Sequence, residues 1–324
     1  MKKKHASRRK LSSNSILLTV AALALCALPA VALAADCIPT TNWTGASGSW
    51  FVEGNWSSGV PNSGKSAYIN NAGTADINTT GAAACNLTLG YDAVQSGKVS
   101  VAGGRLAVTN EVEVGAFGKG TLIVTNGGTV SAGLLTIAAL LGTSDSVGTV
   151  TVDGGTFIIN TRADVGGDNG TPGGIGLMTV KNSGSVTAGN LRVYSSGTLT
   201  GNGTVSTTSG TTIDGTLKPN ATLTISGNLT FTGTAATMQS NVVPTGADNV
   251  QVSATASLNG RLAVTMTGTF TPGTQFTFLH ASGGLSGAFS SVSINYPTNQ
   301  CFSPQINYDY VGNHVYLYLA PTCW

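Results

Sequence analysis

The sequence predicts an all-β protein: a right-handed parallel β-helix with three short strands per coil and a capping segment at each end. Three observations predict it. A block recurs four times, opening at Gly97 (GKVSVAGGRLAVTN), Gly120 (GTLIVTNGGTVSAG), Gly148 (GTVTVDGGTFIINT) and Gly176 (GLMTVKNSGSVTAG), with starts 23, 28 and 28 residues apart. Self-similarity at such a period marks a stacked array of coils. Within each block small apolar residues alternate with polar ones, the period of a strand with one buried face. The composition agrees: 44 glycines among 324 residues, 41% hydrophobic and only 9% charged, supplies many strands and tight turns and no long charged helix.

The first 34 residues read as a signal peptide. Lys2, Lys3, Lys4, Arg8, Arg9 and Lys10 make a basic start, Ile16 to Leu28 an apolar core, and Ala32-Leu33-Ala34 a small-residue cleavage site. Pro29 and the small residues after it argue against a membrane anchor. Ser7-Arg8-Arg9-Lys10-Leu11 approaches a twin-arginine signal, but the strongly apolar segment that follows suits the general secretory route. The mature chain is expected to start at Ala35, with no transmembrane segment.

Residues 35–84 form the expected N-terminal cap, with Trp43, Trp50 and Trp56 in a short stretch. These indoles have two readings, a cover over the open apolar end of the solenoid or a surface for glycans; the cover is the commoner use. Residues 85–234 are the expected repeats. Their inward trios are Val99/Val101, Leu106/Val108 and Val112/Val114, then Leu122/Val124, Val130/Ala132 and Leu135/Ile137. The third and fourth coils follow with Val150/Val152, Phe157/Ile159 and Ala163/Val165, then Met178/Val180, Val186/Ala188 and Leu191/Val193. Gly103-Gly104, Gly127-Gly128 and Gly154-Gly155 share one corner, where glycine permits positive φ. Asn126 and Asn182 each add a residue there, which a bulge would absorb. A β-sandwich would need longer strands and does not fit a triple register shared by four copies. Residues 235–324 lose the repeat and read as a C-terminal β cap.

Removing the leader takes six of the 15 basic residues and none of the 13 acids, so the mature chain carries about −4 rather than +2. No basic patch remains for nucleic acid or an anionic membrane. Four cysteines remain, Cys37, Cys85, Cys301 and Cys323; an even number in an exported chain favours disulfides. Of three possible pairings, Cys37–Cys85 with Cys301–Cys323 is preferred, because each bond staples one end. The spacings have no CxxC pair, and His280 and His314 are isolated, which argues against zinc.

The order of features resembles the passenger domains of autotransporters of Gram-negative bacteria. Trp43 to Gly45, Gly48-Ser49-Trp50 and Asn55-Trp56 look like a passenger start. Gly197 to Val205 (GTLTGNGTV) and Gly215 to Pro219 (GTLKP) are similar to passenger coils, and Asp248 to Val264 with Gly273 to Phe289 to the final ones. The resemblance implies an exported solenoid at the cell surface, on the outer membrane or outside the cell. A complete autotransporter continues into a membrane β-barrel. This sequence stops at Trp324, and Pro321 and Cys323 do not suit a terminal barrel strand, so release, a separate translocator or a periplasmic location is expected instead.

No catalytic constellation stands out. Glu111 and Glu113 share a strand face and are expected to form a solvated polar face. Asp164 and Asp168 flank the Gly-rich stretch GGDNGTPGG, which reads as a solvated loop rather than a cation site. Tyr308, Tyr310, Tyr316 and Tyr318 are expected to pack the C-terminal cap. The expected function is non-enzymatic, without cofactor or metal: an adhesin, matrix or surface-coating rod whose partners are glycans, cell-surface components or further copies of itself. The alternatives are a carbohydrate-active enzyme of β-helix type, recognised by acids converging in one groove, and a truncated passenger with no present function.

Overall fold

The computed structural model describes residues 37–139, 146–298 and 300–323. The expected signal peptide lies outside these residues. The chain is a parallel β-solenoid of about 10 turns, 60% strand and 1% helix. Each turn lays one strand on each of three walls. The glycines that open the repeats stack in register on the first wall, Gly97 on Gly120, Gly120 on Gly148, Gly148 on Gly176 and Gly176 on Gly197. A side chain at these positions would collide with backbone: a Cβ on Gly120 would sit 2.1 Å from the Gly115 nitrogen. All residues of the inward trios are buried. They form one continuous core along the axis.

The parallel stack is longer than residues 85–234. It begins with Thr40–Asn42 and Ser47–Ser49, which pair with Ser66–Ile69 and Thr74–Ile77. It runs on through Thr237–Val243, Arg261–Met266 and Ser291–Asn295 on the first wall. The sequence repeat fades there, while the inward apolar residues such as Met238, Leu262 and Val264 persist. Antiparallel pairing closes the far end, where His314–Pro321 pairs with both Gln275–Ala281 and Phe302–Asp309.

Two local expectations change. Asn126 and Asn182 are not in bulges; each begins a left-handed pair, with φ 53° before Gly127 at 72° and φ 51° before Ser183 at 64°. Asparagine tolerates that region, so the extra residue is absorbed in the turn itself. Of the four C-terminal tyrosines, only Tyr308 packs against the core. Tyr316 and Tyr318 alternate with the buried Val315, Leu317 and Leu319 and so fall on the outer face, and Tyr310 is exposed.

Candidate functional site

Disulfides join Cys37 to Cys85 and Cys301 to Cys323. The three tryptophans come together but do not form a binding surface. Trp56 stacks edge to face on both Trp43 and Trp50, with centroids 5.0 and 4.8 Å apart. The Trp56 Nε1–H donates to the Trp50 carbonyl at 2.8 Å. All three are buried, so no indole face is free to stack on a sugar, and the glycan reading of these residues is corrected. The apolar end of the stack draws them in, because burial of so large a side chain outweighs its use on the surface.

The third wall carries the chemistry. Its strands alternate, so Val112 and Val114 point inward and Glu111 and Glu113 outward. In-register stacking then builds rows across coils. One row runs Tyr68, Thr88, Glu113, Thr136, Asp164 and Arg192. The next runs Glu111, Leu134, Arg162 and Asn190. Residues far apart in sequence become neighbours about 4.8 Å apart.

Tyr68, Asn86, Thr88, Glu111 and Glu113 line a hollow of about 160 Å³. Short Thr88 between the longer Tyr68 and Glu113 leaves the space. The Thr136 hydroxyl donates to Glu111 Oε1 at 2.6 Å. The Asn86 Oδ1 accepts from the Glu111 amide at 3.3 Å. Among the described residues no hydrogen bond or ion pair reaches the Glu113 carboxyl. Burial, then the nearby charges of Glu111 and Asp168, push Glu113 up to about 7. Burial also pushes the Tyr68 phenol up, with Tyr91 and Glu113 adding to it. The two glutamates point outward as expected but are not a freely solvated face. Alternation fixes the direction of a side chain; side chains from adjacent coils fix its depth.

A row of aromatic rings runs from Tyr68, which lines this hollow. Tyr68 meets Tyr91 edge to face at 5.6 Å, and Tyr91 meets Phe117 at 5.6 Å. Tyr91 is 44% and Phe117 37% exposed. The sequence reading passed over Tyr68, Asn86, Thr88, Tyr91 and Phe117. A signal was present: Tyr91 follows Leu89-Gly90, and Phe117 follows Val114-Gly115-Ala116, so consecutive coils place an aromatic ring just past the same glycine corner.

Further along the wall the charges are compensated. Asp164 is fully buried rather than in a solvated loop. It lies 2.5 Å from Arg162 Nε, accepts from Tyr194 Oη at 3.2 Å and from the Asn169 amide at 3.1 Å. Burial pushes its carboxyl up, against the Asn169 amide, Arg162 and Tyr194, which pull it back. Asp168 takes the other arm of Arg162 at 2.8 Å. Arg192 pairs with Asp214 at 2.6 Å and lies 4.9 Å over the Tyr194 ring. Two acids sharing one guanidinium form an internal anchor for the long corner, with no group of metal-ligating side chains among the described residues. A larger hollow of about 470 Å³ opens on the first wall beside Thr198, Thr200, Lys218 and Asn241, but it holds no paired acid and no aromatic ring.

The described residues contain no helix long and apolar enough to cross a membrane. No family model matches the chain, and no curated protein matches it.

Proposed function

We propose that this chain is an exported, non-enzymatic rod of the autotransporter-passenger kind, working at the cell surface or outside the cell by holding glycans on its third wall. The observation that carries the reading is the row of Tyr68, Tyr91 and Phe117, which starts at the Glu111–Glu113 hollow that Tyr68 lines. Sugars are bound by aromatic faces for their C–H surfaces and by carboxyl and amide groups for their hydroxyls, and this hollow offers both. The leader, the even cysteine count and the passenger-like phrases support export. The test is binding of the purified protein to a glycan panel. Saturable binding that Tyr91→Ala or Phe117→Ala weakens at least tenfold supports the reading, and binding indifferent to both changes removes the third wall from it.

A second reading, glycan cleavage at the same place, is favoured by one observation. Glu113 keeps its proton to about 7 beside a second carboxyl group. A protonated acid next to a carboxylate is the pair that glycosidic cleavage uses. Release of new reducing ends, abolished by Glu113→Gln, would establish it over simple binding.

A further inference from the structure

We propose that the hollow on the third wall takes the free ammonium group of an amino sugar, so that the rod's ligand is a glycan carrying unacetylated amines. This rests on the glycan reading above and names its ligand class.

The hollow presents acceptors without a cation. Its lining, Tyr68, Asn86, Thr88, Glu111 and Glu113, contains no basic residue. The groups facing Glu113 are Glu111 on its own strand, Tyr68 and Thr88 from the preceding coils, Thr136 from the following coil and Asp168 from the long corner, with Tyr91 beyond Tyr68. None is positive. The two arginines of this wall are already engaged, Arg162 with Asp164 and Asp168, and Arg192 with Asp214. The wall therefore neutralises three of its acids and leaves the glutamate pair bare.

An independent observation points into the same space. Thr88 is only 6% exposed, yet among the described residues no hydrogen-bond partner reaches its hydroxyl. Thr88 lines the hollow, where a ligand polar group can meet its hydroxyl. An ammonium has three donors and no acceptor. Glu113, Glu111 and the Thr88 hydroxyl offer it three acceptors, and the Tyr68 ring that lines the hollow adds an aromatic surface that favours a cation. Neutral hydroxyls satisfy the same acceptors but leave the pair's charge uncompensated.

Protonation supports the assignment. Glu113 is held up to about 7 by burial and by Glu111 and Asp168. A bound cation restores its ionisation, so binding below neutrality expels a proton.

The test is calorimetry with β-1,4-linked glucosamine oligomers, the matching N-acetylglucosamine oligomers, glucose oligomers and polylysine. The expected result is at least tenfold tighter binding of the amine-bearing oligomer than of its acetylated form. Net proton release should be seen at about pH 6, where Glu113 gives up its proton and most free amines are already charged, and net proton uptake at about pH 8, where the amine gains the proton it binds with. Glu113→Gln should erase the preference for the amine-bearing oligomer over its acetylated form, with an unchanged far-ultraviolet circular dichroism spectrum showing that the variant is folded. Thr88→Val should weaken the amine-bearing oligomer several-fold. Equal binding of acetylated and free-amine oligomers overturns the inference and leaves the glycan reading standing. Binding of none of the oligomers overturns both. Polylysine binding as tight, and as dependent on Glu113, assigns the site to a basic peptide and overturns the glycan ligand.

Discussion

At one end of the solenoid the last apolar layer meets three indoles; at the other it meets a hairpin. Trp43, Trp50 and Trp56 close the first coils edge to face, all of them buried, and the Cys37–Cys85 bond ties the entering chain to them. At the far end Phe302–Asp309 and His314–Pro321 run antiparallel and extend only the second wall. The first wall stops at Ser291–Asn295. Its inward Val292 continues the column of Leu122, Val150, Met178, Leu199, Leu217, Met238 and Leu262, all buried, yet is itself 42% exposed. Bulk seals a whole cross-section, whereas strand pairing seals one wall at a time, because backbone hydrogen bonds run along the axis and do not cross the core.

Removing the bulky seal should have the largest effect. Trp50→Ala is expected to cost about 3–5 kcal/mol in denaturant unfolding, the range for large aromatic truncations. A loss below about 1 kcal/mol would mean that the indoles decorate the end rather than close it. Next come the disulfides, whose loops span 48 and 22 residues. Loop-closure entropy gives about 4 kcal/mol for the first and about 3 for the second. Cys37→Ser with Cys85→Ser should therefore lower the midpoint more than the C-terminal pair does, and the reverse order would show that the hairpin depends on its staple more than the indoles do.

A change between the ends separates end effects from wall effects. The Glu113 carboxyl is raised from 4.5 to about 7. The folded chain thus holds more protons than the unfolded chain in that window, and this group's contribution to stability falls as pH rises through it, then levels off. Glu113→Gln should stabilise the protein at about pH 8 by on the order of 1 kcal/mol, after discounting for solvent screening, and change nothing at about pH 4. Thermal midpoints at the two pH values decide it; an equal shift at both would point to packing instead of charge. The smallest effect is expected at the open wall. Val292→Ala should cost under about 1 kcal/mol, whereas Leu262→Ala one coil earlier should cost about 2–5. Equal costs would show that Val292 is covered in solution.

Much of the fold was legible because a parallel coil repeats its constraints. Gly97, Gly120, Gly148 and Gly176 announce the register, since only glycine fits where one coil's backbone crosses close to the next. The alternation of Leu122, Val124 and their counterparts announces the inward face. Less of the site was legible. Glu111 and Glu113 were visible as a pair, but their depth depends on Tyr68, Asn86 and Thr136, which enter from other coils. Asp164 read as part of a polar loop because Arg162 and Tyr194, which bury and pair it, reach it only by stacking. The C-terminal coils were legible through their resemblance to final passenger coils and not through the repeat, although their cores, as at Leu262 and Val264, kept the inward pattern.

The sequence by itself determined what is local or periodic: strands, turns, the inward column and the spacing that sets each coil. Those follow from side-chain alternation and backbone freedom, which act over a few residues. Only the tertiary structure decided which outward side chains become neighbours, how deep each sits and which charges find a partner. Stacking converts a separation of about 25 residues into one strand spacing, and both desolvation and Coulomb interaction depend on that distance in space and not on distance along the chain.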